Sequence, residues 1–208
     1  MSIDTPPLVT RSLQPGTLVF LTGATGFIGA RLARKLVAGG VDVTALVLPG
    51  EERFLPADVQ PYVGDVTDAA TVSRAIQTVH PGLVIHLAAI GITNPGLPLA
   101  EAVRVNVGGT VNVLSAAREV GSVQRIVFAG TSYEYGARRA EEGLDPFNAY
   151  SASKVAAWAC ARAAYNTWGA PIVWMRPFQV YGPGQRESAL IPAAIRAALE
   201  GEDFRMTA

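Results

Sequence analysis

The sequence predicts an α/β protein built on a doubly wound parallel sheet. Short apolar runs alternate with helical stretches of ten or more residues along the chain, which is the pattern of consecutive βαβ units. A glycine-rich turn, TGATGFIG at residues 22–29, joins the first apolar run to the first helical stretch. A polar cluster, TSYEYG at residues 131–136, follows a later run, where an open parallel sheet places its ligand crevice.

The pattern places six strands and five helices in alternation. The strands are expected at residues 18–21, 41–48, 59–64, 83–87, 124–130 and 171–175. The helices are expected at 27–37, 69–79, 99–120, 147–168 and 188–200. Asp68 precedes the second helix and is expected to cap it. Asn106 and the pair Gly108-Gly109 interrupt the third helix, which predicts tight packing or an internal hydrogen bond there.

The composition indicates one globular domain without a strong overall electric field. Half of the 208 residues are hydrophobic and 17 basic residues balance 17 acidic ones, so neither nucleic acid nor a membrane is a predicted partner. The apolar run 83–92 is too short to span a bilayer. The sequence shows no metal-ligand spacing. Cys160, the single cysteine, is interpreted as a buried inert thiol, in keeping with a cytoplasmic location.

The glycine turn at residues 22–29 predicts a dinucleotide-binding site. A strand, a tight turn and a helix N-terminus direct unpaired backbone N–H groups toward one anion. Gly23 permits the turn, Gly26 lets a pyrophosphate approach the backbone, and Gly29 lets the helix pack close to the strand.

The residues after the second predicted strand leave the choice between NAD and NADP open. A dinucleotide site often carries an acid about 20 residues after the glycines, where it binds the adenosine ribose. Leu48 and Pro49 occupy that place here, and Glu51, Glu52 and Arg53 follow slightly later. Neither an acid for NAD nor an arginine for a 2′-phosphate therefore stands clearly at the strand tip.

Tyr150 and Lys154 are the candidates for proton transfer. They are four residues apart in a predicted helix, so both side chains leave the same face. An ammonium beside a phenol favours the phenolate and lowers the pKa of the phenol. Such a tyrosine can exchange a proton with a hydroxyl or carbonyl while a hydride moves to or from a nicotinamide. Thr131 or Ser132, at the exit of the fifth strand, can hydrogen-bond the reacting oxygen.

The motifs in combination resemble the NAD-dependent epimerase/dehydratase family of nucleotide-sugar enzymes, within the extended short-chain dehydrogenases/reductases. They are TGATGFIG, GDVTD, HLAA, NVGGT, TSYEYG, YSASK and RPFQVYGPG, in the family's order and within about residues 17–195. The resemblance implies a Rossmann fold at 17–183 after an N-terminal tail at 1–16. Residues 184–208 would begin a substrate-binding region that is largely absent from this chain. Relatives often pair through helices like 99–120 and 147–168, so a homodimer is expected.

The resemblance also assigns the catalytic roles. Thr131 would orient the sugar oxygen, and Tyr150 would be the acid/base. Lys154 would tune Tyr150 and hold the nicotinamide ribose. His86 is left out of the catalytic set and is interpreted as a structural strand histidine.

The cofactor implied by the resemblance is NAD, with NADP not excluded, and its site draws on most of the motifs. Asp65 is matched to the adenine amino group, and Pro177 and Val180 to the border of the nicotinamide amide. The implied cofactor-binding residues are Gly23, Thr25, Gly26, Phe27, Ile28, Gly29, Asp65, Val66, Leu87, Ala88, Ala89, Asn106, Tyr150, Lys154, Pro177 and Val180.

The leading functional prediction is an NAD(P)-dependent nucleotide-sugar epimerase that works through a transient 4-keto intermediate. An NADPH-dependent nucleotide-sugar 4-keto reductase and a non-catalytic NAD(P)-binding regulatory module are the alternatives. Dehydratases of the family carry an acid two residues after the active threonine, where this chain has Tyr133. Glu134 comes one residue later and by strand alternation would face the other way. This difference favours an epimerase or a reductase.

Overall fold

The computed structural model describes residues 13–94, 96–137 and 142–204. Within them a six-stranded parallel sheet has the order β3-β2-β1-β4-β5-β6. The strands are β1 (Leu18–Thr22), β2 (Asp42–Val47), β3 (Gln60–Val63), β4 (Leu83–His86), β5 (Arg125–Ala129) and β6 (Ile172–Met175). All six predicted strands and the doubly wound parallel sheet are confirmed. Most of the predicted N-terminal tail, residues 1–12, lies outside the described residues, as do 205–208.

Helices flank the sheet on both faces. They are α1 (Phe27–Ala38), α2 (Ala69–Val79), α3 (Leu99–Ala102), α4 (Gly108–Val120), α5 (Ala149–Trp168) and α6 (Leu190–Glu200). Short 3₁₀ turns occur at Glu52–Phe54 and Ser132–Tyr135. In the described part of the chain, no helix combines the length and the apolar composition that a bilayer crossing requires.

Two hydrophobic cores lie on opposite faces of the sheet because alternate strand residues point to opposite sides. Phe20 of β1 joins the core formed with α2, α4 and α5. Its neighbour Leu21 joins the core that contains Ala33 of α1. Both side chains are completely buried. The β1 strand is therefore fixed from both sides, and so is the glycine turn that follows it.

Asp68 caps α2 as predicted. Its side chain accepts hydrogen bonds from the backbone N–H groups of Ala70 and Thr71, at 3.0 and 3.3 Å. The cap sets where the chain turns from β3 into the helix, and the Asp65-Val66 pair lies in that turn.

The predicted helix 99–120 is not a continuous α-helix. A π-helical segment, Val103–Val107, joins α3 to α4, and such wide turns add one residue to the helical register. Asn106 lies in this segment and is 1% exposed. The expected close packing is found at Gly109, where an added Cβ would lie 3.0 Å from the Val66 side chain. The interruption therefore directs a buried amide toward the carboxyl edge of the sheet.

Candidate active site

The glycine turn forms a cradle against the exit of β4. Gly23 has a φ of +75°, and an added Cβ would lie 2.7 Å from the Ala88 nitrogen and 2.8 Å from the Leu87 carbonyl carbon. A Cβ on Gly29 would overlap the Gly23 carbonyl oxygen. The turn can therefore exist only with glycine at these two positions, and the small residues after β4 line its other side.

The N-terminus of α1 opens into this cradle. Gly26 is the N-cap of the helix, and no described side chain caps it. The first N–H groups of a helix, here those of Phe27 and Ile28, have no partner within the helix itself. An uncapped helix N-terminus beside a glycine turn fits a pyrophosphate group. The cradle residues therefore fit the dinucleotide that the sequence predicts.

A carboxylate that sequence reasoning left unassigned lies at the rim of the cradle. The hydroxyl of Thr25 donates a hydrogen bond of 3.0 Å to Glu51 Oε2. The turn after β2 brings the Glu51 carboxylate to the rim of the cradle, because the N–H of Glu51 donates to the carbonyl oxygen of Leu48 at 3.0 Å. The Pro49-Gly50 pair was the available signal, since this dipeptide predicts a turn that folds the chain back.

Asp65 and Val66 lie at the exit of β3. The Oδ1 atom of Asp65 accepts a hydrogen bond of 2.8 Å from the Thr67 N–H. One carboxylate oxygen therefore stabilises the local turn. Val66 is 8% exposed, and its carbonyl accepts a hydrogen bond of 2.9 Å from the Asn112 side chain. The turn is held rigidly, and the adenine contact assigned to Asp65 stays a prediction.

Asn106 connects three elements beneath the site. Its Oδ1 accepts from the Ile90 N–H at 2.9 Å, and its Nδ2 donates to the Ile90 carbonyl at 3.0 Å. The same nitrogen donates to Ser153 Oγ at 2.8 Å, and Ser153 Oγ donates to the Tyr150 carbonyl at 2.7 Å. Both amide protons are thus engaged within the protein. Asn106 consequently supports the loop after β4 and the helix that carries Tyr150.

Thr131, Tyr150 and Lys154 are all buried where β5 ends. They are 5%, 8% and 3% exposed, respectively. Tyr150 and Lys154 are one turn apart on α5, and Thr131 is the N-cap of the 3₁₀ turn Ser132–Tyr135, which packs against that helix. The structure thus brings the three predicted catalytic residues to one edge of the sheet.

Burial dominates the acid–base properties of α5. It lowers the pKa of Lys154 to about 8, while the charge of Glu134 acts in the opposite direction. Burial raises the pKa of Tyr150, the Thr131 hydroxyl lowers it, and the charge of Glu134 and then Tyr133 raise it further. The predicted lowering of the Tyr150 pKa is therefore wrong for the protein alone, because desolvation of the phenolate outweighs the available hydrogen bonding.

His86 is a core residue below the site. It is 2% exposed, its Nδ1 lies 2.7 Å from Thr22 Oγ1, and its ring packs edge-on against Phe128. Burial, and then the charge of Lys154, lower the pKa of His86 to about 3. Thr22 Oγ1 also accepts from the Ala88 N–H at 3.1 Å. His86 is thus neutral near pH 7 and fixes the β1 and β4 exits to each other.

The segment after β6 borders the 3₁₀ turn Ser132–Tyr135. The Gly130 N–H donates to the Met175 carbonyl at 2.7 Å, and the Ser132 N–H donates to the Pro177 carbonyl at 3.1 Å. Pro177 therefore lies directly beside the turn that begins with Thr131. Val180 is farther along the segment, with its side chain 39% exposed, and its assignment to the nicotinamide stays a prediction.

Comparison with known proteins identifies relatives along almost the whole chain. The model of the NAD dependent epimerase/dehydratase family matches residues 19–208. A UDP-N-acetyl-alpha-D-glucosaminuronate decarboxylase from Bacillus cytotoxicus is 29% identical over an alignment of 202 residues, and the match covers 88% of this chain and 62% of that protein. A dTDP-glucose 4,6-dehydratase from Xanthomonas campestris is 31% identical over an alignment of 205 residues, and the match covers 88% of this chain and 58% of that protein.

Solved structures agree with this relationship. The Bordetella bronchiseptica enzyme WbmG in complex with NAD and UDP has a TM-score of 0.79 and 28% identity, with 95% of this chain and 63% of that one covered. The chain spans about three fifths of the length of these relatives.

The buried ammonium of Lys154 leads to a prediction about stability. Its pKa of about 8, against an ordinary value of 10.5, corresponds to a penalty of roughly 3 kcal/mol, at about 1.4 kcal/mol per unit. Because the pKa is lower in the folded state, the penalty is complete below pH 8 and declines as the pH rises from 8 to 10.5. We expect Lys154→Met to raise the free energy of unfolding at pH 7, with a smaller gain at pH 10.

Urea unfolding at the two pH values measures this difference. Lys35 is the only other lysine of the chain and is exposed on α1, so Lys35→Met is the matched control and should change stability little. A Lys154→Met variant no more stable than the wild type at pH 7 would contradict the assigned cost of burial.

Proposed function

Because this chain belongs to the NAD-dependent epimerase/dehydratase family, we propose that it takes part in epimerising a nucleoside-diphosphate sugar through a transient 4-keto intermediate, with NAD as cofactor. The observation that carries the proposal is the convergence of Thr131, Tyr150 and Lys154 at one edge of the sheet, beside the glycine cradle. The homologous enzyme WbmG has been solved with NAD and UDP together, which supports both ligand classes.

The cradle residues Gly23, Gly26 and Gly29 would hold the pyrophosphate of NAD, and Lys154 its nicotinamide ribose. When bound, NAD supplies a nicotinamide ring that can accept a hydride from a carbinol carbon and return it. Lys154 suits a ribose contact because the residue is buried and its ammonium has no hydrogen bond to any described residue, so the ammonium gains a partner when hydroxyl groups arrive.

Tyr150 would carry the proton. In the protein alone its pKa is raised, so the phenol is protonated near pH 7 and can donate to a sugar carbonyl oxygen. The reverse step needs the phenol to accept the hydroxyl proton of the sugar, and the Thr131 hydroxyl helps because it stabilises the phenolate. One residue can therefore serve both directions of a reversible oxidation.

Tyr133 and Glu134 favour epimerisation over loss of water. Elimination of water from a sugar requires a further acid that faces the leaving hydroxyl group. Glu134 is completely buried, and both of its oxygens accept hydrogen bonds from the protein. Tyr133, which is 40% exposed and packs on Phe147, has a phenol in place of a carboxyl group. The catalytic turn therefore offers no carboxyl group to a substrate.

The reaction is tested with the purified 208-residue protein, NAD and a panel of UDP-, dTDP- and GDP-hexoses in deuterated water. We expect interconversion of two hexose isomers, no net change in nicotinamide absorbance and no deuterium in the sugar. In a parallel assay with a nucleoside-diphosphate 4-keto sugar, stoichiometric consumption of NADPH would indicate a reductase instead. A 4-keto-6-deoxy product that carries deuterium would indicate a dehydratase.

The matched variant for this assay is Tyr150→Phe. It should lower kcat by roughly 10²–10⁴-fold, the usual contribution of a positioned acid/base, while the Kd for NAD stays within a few-fold of the wild-type value. Turnover that survives the substitution would remove Tyr150 from the mechanism. Binding of neither NAD nor a nucleotide sugar by the wild type would remove the proposed function itself.

Glu51 supports NAD as the preferred cofactor. Its carboxylate lies at the rim of the cradle through the hydrogen bond from Thr25, where it would meet the adenosine ribose and repel a 2′-phosphate. We expect Glu51→Gln to weaken NAD binding and to improve NADP binding, so that the affinity ratio changes by on the order of tenfold, about 1.4 kcal/mol.

Calorimetric titration with the two dinucleotides gives this ratio. Glu52→Gln removes the neighbouring exposed carboxylate and serves as the control, with the ratio expected to stay at the wild-type value. An unchanged ratio in Glu51→Gln would show that Glu51 does not select the cofactor.

We further infer a homodimer formed through the outer surfaces of α4 and α5. A shallow depression between these helices is lined by Val111, Leu114, Ser115, Arg118, Cys160, Ala164 and Trp168, and Val111 is 40% exposed. Val111→Asp should convert the dimer to a monomer in sedimentation velocity at micromolar concentration, because a charge would be buried without a partner. A wild-type protein that sediments as a monomer would refute this arrangement.

A further inference from the structure

Glu134 is a completely buried carboxylate whose two oxygens are used by different parts of the site. Its Oε1 accepts from the Thr131 N–H at 2.9 Å and from Trp174 Nε1 at 3.3 Å. Its Oε2 accepts from Arg176 Nε at 2.6 Å. A carboxylate that is 0% exposed is retained in a fold only where such contacts compensate its loss of hydration.

The contacts of Glu134 fix the conformation of Thr131. Thr131 Oγ1 accepts a hydrogen bond of 3.2 Å from the Tyr133 N–H, while the Glu134 side chain accepts one from the Thr131 N–H. This reciprocal pair is a capping box, which satisfies the free N–H groups at the start of a helical turn. The position of the Thr131 hydroxyl is thereby tied to the position of the Glu134 carboxylate.

Arg176 anchors the other side of the carboxylate. Its guanidinium lies 5.2 Å from the ring centre of Tyr135 and 5.4 Å from that of Trp158, and its side chain is 20% exposed. Because it follows β6 directly, it joins the exit of that strand to the turn after β5. The next residue, Pro177, accepts a hydrogen bond of 3.1 Å from the Ser132 N–H.

We propose that Glu134, held by Arg176, is a positioning residue that fixes the Thr131 hydroxyl and places a buried negative charge in the turn beside Tyr150. This inference rests on the proposed function, in which Tyr150 is the acid/base. Glu134 itself does not contact a substrate, because no part of it is exposed. It acts through the turn that it caps and through its charge.

The charges around Tyr150 give the direction of the electrostatic effect. Glu134 and Tyr133 raise the Tyr150 pKa, and the Thr131 hydroxyl lowers it. Lys154 lies one helical turn along from Tyr150. Burial lowers the pKa of Lys154 and the charge of Glu134 opposes that shift, while burial and then the charge of Lys154 lower the pKa of His86. Loss of the Glu134 charge should therefore make Tyr150 more acidic, since the negative group that opposes the phenolate is gone.

Glu134→Gln separates the charge of Glu134 from the capping box. The amide oxygen can still accept from the Thr131 N–H, so the capping box stays, while the negative charge and the hydrogen bond from Arg176 Nε are lost. We expect the Tyr150 pKa to fall by on the order of one pH unit, the effect of a nearby unit charge at an effective dielectric constant of about 20. The limb of the kcat–pH profile that Tyr150 governs should move by the same interval.

The titration is followed by NMR of protein labelled with ¹³Cζ-tyrosine and loaded with NAD alone, in the absence of any sugar. The Tyr150 signal among the six tyrosines is assigned from its loss in Tyr150→Phe. Glu187→Gln is the matched control, because Glu187 is 90% exposed and pairs only loosely with Arg196 at 3.6 Å. A Tyr150 signal that titrates as in the wild type in Glu134→Gln would overturn the proposal.

A second variant covers the case in which Glu134→Gln does not fold because Arg176 is left without its partner. Glu134→Gln/Arg176→Gln removes both charges and leaves no unpaired buried ion. Arg176 is not among the groups that shift the Tyr150 pKa, so Tyr150 should still titrate below the wild-type pKa. A value at or above wild type would overturn the proposal. Absence of sugar turnover in the wild type, in contrast, would count against the proposed function without affecting this titration.

Discussion

The amide of Asn106 is the contact on which the geometry of the site depends. It binds both backbone groups of Ile90 and the hydroxyl of Ser153, which in turn binds the Tyr150 carbonyl. A buried amide with all of these partners costs little, whereas a buried amide that lost them would cost a few kcal/mol. Asn106 lies buried within the π-helical segment Val103–Val107. The helix α5, which carries Tyr150, and the loop after β4 therefore share one hydrogen-bonded support.

The burial that fixes the positions of Tyr150 and Lys154 also disfavours the charged form of each side chain. Lys154 is 3% exposed and Tyr150 8%, so both lose hydration, and the pKa shifts of the two residues have opposite signs for one reason. The two sheet faces supply the apolar packing that tolerates this loss. A site of this kind is preorganised for a polar ligand at the expense of the stability of the protein without it.

The sequence predicted those features that depend on local pattern. The apolar runs predicted all six strands, the position of Asp68 predicted a cap, and the spacing of Gly23 and Gly29 predicted a close approach of backbones, which is confirmed. The tertiary partners of charged groups could not be predicted, because they are far apart in the sequence. Glu134 binds Arg176, which is 42 residues away, and Thr25 binds Glu51, which is 26 residues away. The orientation of Glu134 was expected from strand alternation, but a capped 3₁₀ turn is what directs it inward.

The resting protonation of Tyr150 constrains how such a site can work. Burial, and then the charges of Glu134 and Tyr133, raise the pKa of Tyr150 and disfavour the phenolate, while the Thr131 hydroxyl favours it. The residues of this chain therefore hold the phenol as a proton donor, and a shift toward the phenolate needs positive charge or further hydrogen bonds from whatever fills the cleft. Proton transfer would then be coupled to occupancy of the cradle. A buried tyrosine with a raised pKa is thus compatible with the proposed acid/base role, because the state that would react is the liganded one.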